Sequence, residues 1–248
     1  MKYRYGFVVF LLIYSELVYS QGGAMPSNFP TVVPVRGLNV NTGSLMGMGV
    51  KYNDGSYVNE KGMNVAGTPL LFENWNYGTV WMKTGEKFDS MHLKYDMLND
   101  LLYVHLNDMD YQFKDEISSF RITDSATLKV FMFRTGFKAV SVFDSKSFYQ
   151  VLYDGKTKFV QKRRKLVVSE LTSTPGVKRD SFSDENTYYI VTATGEMKKL
   201  KKKNDDIIEL LDGHKEELKK MIKEQRLKLN KDEEIIQLLH YYDQLEAH

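Results

Sequence analysis

From residue 78 to 122 the chain reads GTVWMKTGEKFDSMHLKYDMLNDLLYVHLNDMDYQFKDEISSFRI, and apolar and polar side chains change places at almost every step. Successive side chains of a strand point to opposite faces, so this period of two marks half-buried antiparallel strands. Met91, Leu93, Tyr95 and Met97 alternate with His92, Lys94 and Asp96. Leu102, Val104 and Leu106 alternate in turn with Tyr103, His105 and Asn107. Turn residues separate the runs. Thr84-Gly85 suits a two-residue hairpin that sets Trp81 opposite Phe88, and Asn99-Asp100 is the next candidate turn. A third turn at 107–110 leads into Tyr111 and Phe113, and 117–122 continues the meander.

The rest of the chain extends this pattern before abandoning it. Residues 128–133 form an apolar run and read as a strand buried on both faces. Asp154-Gly155, between 148–153 and 156–160, predicts a type I′ hairpin, because Asp-Gly readily takes positive φ. Residues 169–186, with Pro175-Gly176 and a polar cluster, read as a loop. A last hairpin turns at Thr194-Gly195. From Asn204 the period shifts to that of helices. Ile207, Ile208, Leu210 and Leu211 fit one closed by Gly213, and Leu218, Met221, Ile222 and Gln225 mark a second. Asn230-Lys231-Asp232-Glu233 predicts a capping box opening a third, with Ile235, Ile236, Leu238, Leu239 and Tyr242 inward. The fold class expected is α+β: a mainly antiparallel sheet or partial barrel over 46–203, followed by a small helical segment over 204–248.

Ahead of the sheet lie two other segments. Residues 1–20 carry a basic start (Lys2, Arg4), an apolar core at 7–13 and small residues at Val18 and Ser20. This is the layout of a signal peptide cleaved before Gln21. The apolar run is shorter than the roughly 20 residues a spanning helix needs, and no later segment could span a bilayer. Residues 21–45 hold Pro26, Pro30 and Pro34 and read as an extended lead-in, with an edge strand at 31–35. The expected location is therefore periplasmic, outer-membrane-associated or secreted. The chain has no cysteine, which excludes disulfides, thiol nucleophiles, Cys-ligated zinc, Fe–S clusters and a lipoprotein anchor.

Several of these runs carry a resemblance. They are Gly67-Thr68-Pro69, Trp75, Gly78-Thr79-Val80, Gly85, Leu93-Lys94-Tyr95, the stretch from Phe148 through Asp154-Gly155 to Lys156, and Tyr241-Tyr242. Together they resemble a group of exported Gram-negative bacterial proteins of unknown function, over roughly residues 65–245. The resemblance rests on strand and turn patterns. It implies an envelope or secreted setting and brings no catalytic residues.

Three constellations are candidates for function. His92 and His105 fall on one polar face. A two-residue loop at Asn99-Asp100 makes them diagonal neighbours, and a register shifted by two makes them direct partners. Imidazoles so placed could share a metal, although Lys94 lies between them and no third ligand has the spacing a metal site requires. A basic cluster around Lys162, Arg163 and Arg164 and another around Lys199, Lys201 and Lys202 give a candidate rim for an anionic surface. The same lysines also serve simply to keep a sheet edge solvated and unpaired. With a net charge of +2 the chain has no global footprint for nucleic acid. No cofactor motif is present: 47–49 begins like a dinucleotide loop, but Tyr52 fills the third glycine position. The residues point to an exported, non-enzymatic binding or structural module of the cell envelope, its partner an anionic envelope surface or another envelope protein. The alternatives are a carrier of a lipid or other hydrophobic ligand, and a metal-dependent enzyme using the histidine pair.

Overall fold

The computed structural model describes residues 28–35, 50–53, 56–59, 63–173, 176–200 and 204–247. Residues 1–20, read as a signal peptide, and all of the lead-in but 28–35 lie outside these residues. Among the described residues, fourteen strands form one sheet in the order β1-β8-β7-β6-β5-β9-β10-β11-β12-β13-β4-β3-β2, with β14 paired to β13. In chain order they are β1 Val32–Val35, β2 Val50–Asn53, β3 Ser56–Asn59, β4 Asn64–Ala66, β5 Asn76–Met82, β6 Lys87–Asp96 and β7 Leu101–Leu106. There follow β8 Met109–Phe113, β9 Ile117–Thr123, β10 Val130–Arg134, β11 Tyr149–Asp154, β12 Lys158–Leu171, β13 Lys178–Val191 and β14 Met197–Leu200. Helices α1 Asn204–Leu210, α2 Lys215–Gln225 and α3 Asp232–Leu245 close the chain. Every described pairing is antiparallel except β4 with β13. The architecture is thus α+β and dominated by an open antiparallel sheet, whose path ends at β1 and β2.

The expected alternation builds the core. Val80, Leu93, Val104, Phe120, Ile122 and Phe133 are fully buried on one face and cluster with Tyr95, Leu102 and Phe148. Phe120 and Phe133 stack at 4.7 Å between ring centroids. A second cluster joins Phe159 and Ile190 to Leu200, Ile207, Leu218, Leu238 and Leu239, so the helices are held by the sheet. Short helices need such packing, because their intrinsic propensity leaves them marginal in water. The expected edge strand is present as β1, hydrogen-bonded along β8. It brings Phe29 and Val32 onto the first cluster.

The sheet curls on itself. Four strands separate β6 from β12 along the sheet path, yet the Lys165 N–H donates to the Met97 carbonyl at 3.1 Å. A third cluster, with Tyr57, Val65, Leu70 and Tyr103, gathers Val167 and Phe182 from the β12–β13 hairpin. Tyr103 and Asp96, read from the alternation as solvent-facing, are therefore buried, at 2% and 0% exposure. Alternation separates two faces; it does not say that the second is left in water.

Five local expectations are corrected. Residues 169–186 are mostly strand among those described: β12 and β13 pair from Lys158↔Val191 to Leu171↔Lys178. The 128–133 run is not doubly buried, for Leu128 is 76% exposed in the turn before β10 and Val130 is also exposed. Lys87 rather than Phe88 faces Trp81, because the loop spans 83–85 with Gly85 at φ +106°. At Asp154-Gly155 the pair Asp154↔Lys158 leaves 155–157 as the loop, and Gly155 does not take a positive φ. Its need for glycine is one of space: a Cβ would stand 2.2 Å from the Asp243 carboxylate. At α3 it is Glu234, not Glu233, that reaches back to the Asn230 N–H, at 3.3 Å.

Candidate functional site

The 97–100 turn decides the geometry of the histidine pair. Asp96 accepts the N–H groups of Leu98 and Asn99 at 2.9 and 3.0 Å, and the Asn99 side-chain amide at 2.8 Å. Asp100 takes a left-handed φ of 61°. The turn held this way is longer than a two-residue hairpin, and it makes His92 and His105 direct partners. Burial drives the Asp96 carboxyl up to about 6, while its three hydrogen bonds pull the other way. Tyr103, opposite Lys94 on β7, is raised by burial and then by the nearby Asp96.

Across four strands the registers line up one row: Tyr77, His92, His105 and Asp110. The row lies on the face turned away from the first core cluster, because Val80 and Met82 take the other face of β5. Tyr77 is 62% exposed, with its ring 4.5 Å from that of His92. His105 Nδ1 lies 2.7 Å from Asp110 Oδ1, and its ring 5.3 Å from Trp75. Lys94 Nζ sits 4.8 Å over the Trp75 ring. Further along β5, Thr79 donates to Asp89 at 2.7 Å and accepts from Arg121 Nε at 3.0 Å. Lys87 and Arg121 both approach the Trp81 ring, at 5.9 Å. The chain has two tryptophans, and both belong to this face, each under a cation; such contacts hold rings and charges in a fixed pattern at the surface. Among the described residues, no group of three or more His, Asp or Glu side chains is arranged to hold a metal ion.

The basic cluster on β12 divides between two faces. Lys162 is not part of a rim: it is 3% exposed and donates to Asp100 Oδ2 at 2.6 Å and to the Phe148 carbonyl at 2.9 Å. Its ammonium also lies 5.2 Å from the Phe143 ring. Burial pulls its pKa down, and Asp100 opposes that. Tyr95 completes the knot by donating to Asp100 at 2.5 Å. Arg163 points to the other face, over Phe131 at 5.7 Å; burial lowers its pKa as well. Arg164 pairs with Glu185 at 2.8 Å and Lys165 with Asp184 at 3.1 Å. Lys199 is exposed on β14. Lys201 and Lys202 lie outside the described residues.

Among the described residues, clefts of about 170 and 190 Å³ open on the surface. The larger is floored by Leu102, Phe113, Ile117 and Phe148 and edged by Lys83, Lys114 and Lys146. Glu116 bridges Lys83 and Lys146 at 2.8 Å each, and its hydrogen bonds to Lys146 and then Lys83 hold its carboxyl down at about 2. The second cluster packs the helices against the sheet.

Sequence reasoning missed Asp96, Asp100 and Tyr95 as a connected group. The one visible signal was an acidic pair framing a turn. No family model, curated protein or solved structure matches the chain.

Proposed function

We propose that this chain is an exported, non-enzymatic binding or structural module of the cell envelope, which grips its partner through the outer face of β5–β8. The observation that carries the reading is the registered row Tyr77–His92–His105–Asp110 with both tryptophans beside it. Aromatic rings and cations held rigidly at a surface bind at low entropic cost, because few rotamers are left to freeze. The β12 cations offer less, since Lys162, Arg164 and Lys165 already have carboxylate partners. The partner fitted by this face is an anionic envelope surface or an envelope protein with exposed carboxylates. The carrier reading has less behind it, for the clefts are small and the helices pack directly on the sheet.

The test is co-sedimentation of the purified chain with isolated Gram-negative envelopes. Tyr77→Ala combined with Trp81→Ala is expected to weaken binding about tenfold or more, as loss of aromatic anchors does at interfaces. Undiminished binding by this variant sinks the sheet-face reading. Export is tested by mass spectrometry of the protein recovered from the periplasm, which is expected to begin at Gln21; a chain that stays in the cytoplasm and keeps residues 1–20 overturns it.

A further inference from the structure

The histidine row runs across the sheet; a second line runs along β5 and its lead-in. A period of two carries Trp75, Tyr77, Thr79 and Trp81 to one side. Their contacts agree with this. The Trp75 ring meets His105 and the Tyr77 ring meets His92, the direct partner of His105. Arg121 reaches both the Thr79 hydroxyl and the Trp81 ring. Three aromatic rings and a hydroxyl therefore follow one another along a track roughly 20 Å long. Tyr77, in the middle, is open to water, and both tryptophans are partly exposed.

Fixed polar groups stand beside the rings. Asp89 accepts from Thr79 and pairs with Lys87 at 2.6 Å. Lys94 differs from these: it lies over the Trp75 ring, and no described carboxylate forms an ion pair with it. Burial lowers its pKa, which Asp110 and then Glu73 oppose through space.

This pattern selects among partners. Lys87, Asp89 and Arg121 are each about half exposed around Trp81, so sinking the ring into acyl chains takes charges out of water, which is costly. A protein interface centres on an apolar patch, whereas each tryptophan here is already approached by a cation. A sugar ring suits such a surface. Its C–H face packs on an aromatic ring, and its hydroxyl edge bonds the donors and acceptors alongside. A linear chain of sugars matches a linear track. The cations stand singly, Lys94 beside Trp75 and Arg121 beside Thr79, so single negative charges spaced along the chain complement them.

We propose that the track Trp75–Tyr77–Trp81 binds a linear polysaccharide with carboxylated sugars, one sugar face on Tyr77 and the carboxylates toward Lys94 and Arg121. This contact is the sheet-face grip with its partner's chemistry specified, and it stands only if that grip does.

Both tryptophans of the chain lie on the track, so their emission reports occupancy without a label. Polygalacturonate oligomers are titrated into the purified chain, alongside the same oligomers with methyl-esterified carboxyls and vesicles of phosphatidylglycerol. A saturable change in emission is expected with the acid oligomers. Tyr77→Ala is expected to weaken it about tenfold; Tyr77 is 62% exposed, so its removal leaves the core untouched. Lys94→Met is expected to bring the acid oligomers to the affinity of the esterified ones. Emission that ignores the oligomers, or that titrates equally in Tyr77→Ala, overturns the proposal. So does a response to vesicles alone. If Tyr77→Ala with Trp81→Ala still loses envelope binding in those cases, the grip stands and its partner is not a polysaccharide; undiminished envelope binding sinks the grip as well.

Discussion

Replacing Asp96 by Asn tests the physical account of the 97–100 turn. Asp96 is fully buried, and its carboxyl is raised from 3.8 to about 6. A raised carboxyl binds its proton more tightly in the folded chain than in the unfolded one. The stability this contributes is fully present below about pH 4 and is lost as the pH climbs through 6. The span from 3.8 to about 6 corresponds to about 3 kcal/mol. Asparagine has nearly the same shape and never ionises. Its side-chain oxygen can keep the bonds from the Leu98 and Asn99 N–H groups, and Asn99 can turn its amide to face the new NH₂. Urea unfolding followed by tryptophan fluorescence, at pH 4.5 and pH 7.5 for both proteins, gives a double difference in which all other titrating groups cancel. Asp96→Asn is expected to gain on the parent by about 2 kcal/mol between these pH values, since pH 4.5 already lies above 3.8. An equal difference at both pH values refutes the argument that the buried charge at Asp96 costs stability.

Other substitutions test other contacts. Lys162→Met strands the Asp100 carboxylate and is expected to cost about 3 kcal/mol; Lys162→Met with Asp100→Asn costs less than the sum of the single changes, read from denaturant midpoints as a double-mutant cycle. Gly78→Ala drives a Cβ to 2.3 Å from the Arg121 carbonyl and 2.5 Å from Leu93, and about 1–3 kcal/mol of overpacking follows, seen as a lower melting temperature. Gly155→Ala collides with Asp243, which accepts the Thr157 N–H at 3.0 Å and the Tyr153 hydroxyl at 3.0 Å. Hydrogen exchange is expected to rise first in α3, and uniform loosening of the whole chain contradicts that role. Burial, with the Asp243 contact second, lifts the Tyr153 phenol to about 12; Asp243→Asn brings its ultraviolet titration down toward 10.

The strands β5 to β9, the turn at Thr194-Gly195 and the three helices were legible because their causes are local. A period of two or 3.6 and a glycine at a turn act over a few neighbouring residues. The alternation also picked out Leu93, Tyr95, Leu102 and Val104 as one face, and these are inward. The pairing of His92 with His105 was readable only as one of two registers, because the length of the 97–100 turn depends on the bonds Asp96 makes once it is buried. Lys162 shows the same limit. In sequence it belongs to a run of cations; in the fold, Asp100, 62 positions away, neutralises it.

The sequence by itself determined an antiparallel, disulfide-free sheet followed by helices, since hydrophobic period and composition leave little else for such a chain to bury. Only the tertiary structure decided that the sheet curls until β12 meets the 97–100 turn. That curl buries one end of the polar face, at Asp96 and Tyr103 with Trp75 packed beside them, and leaves the other end, at Tyr77, open at the surface. Which face meets water depends on contacts between residues far apart in the chain, and these follow from packing the whole sheet at once.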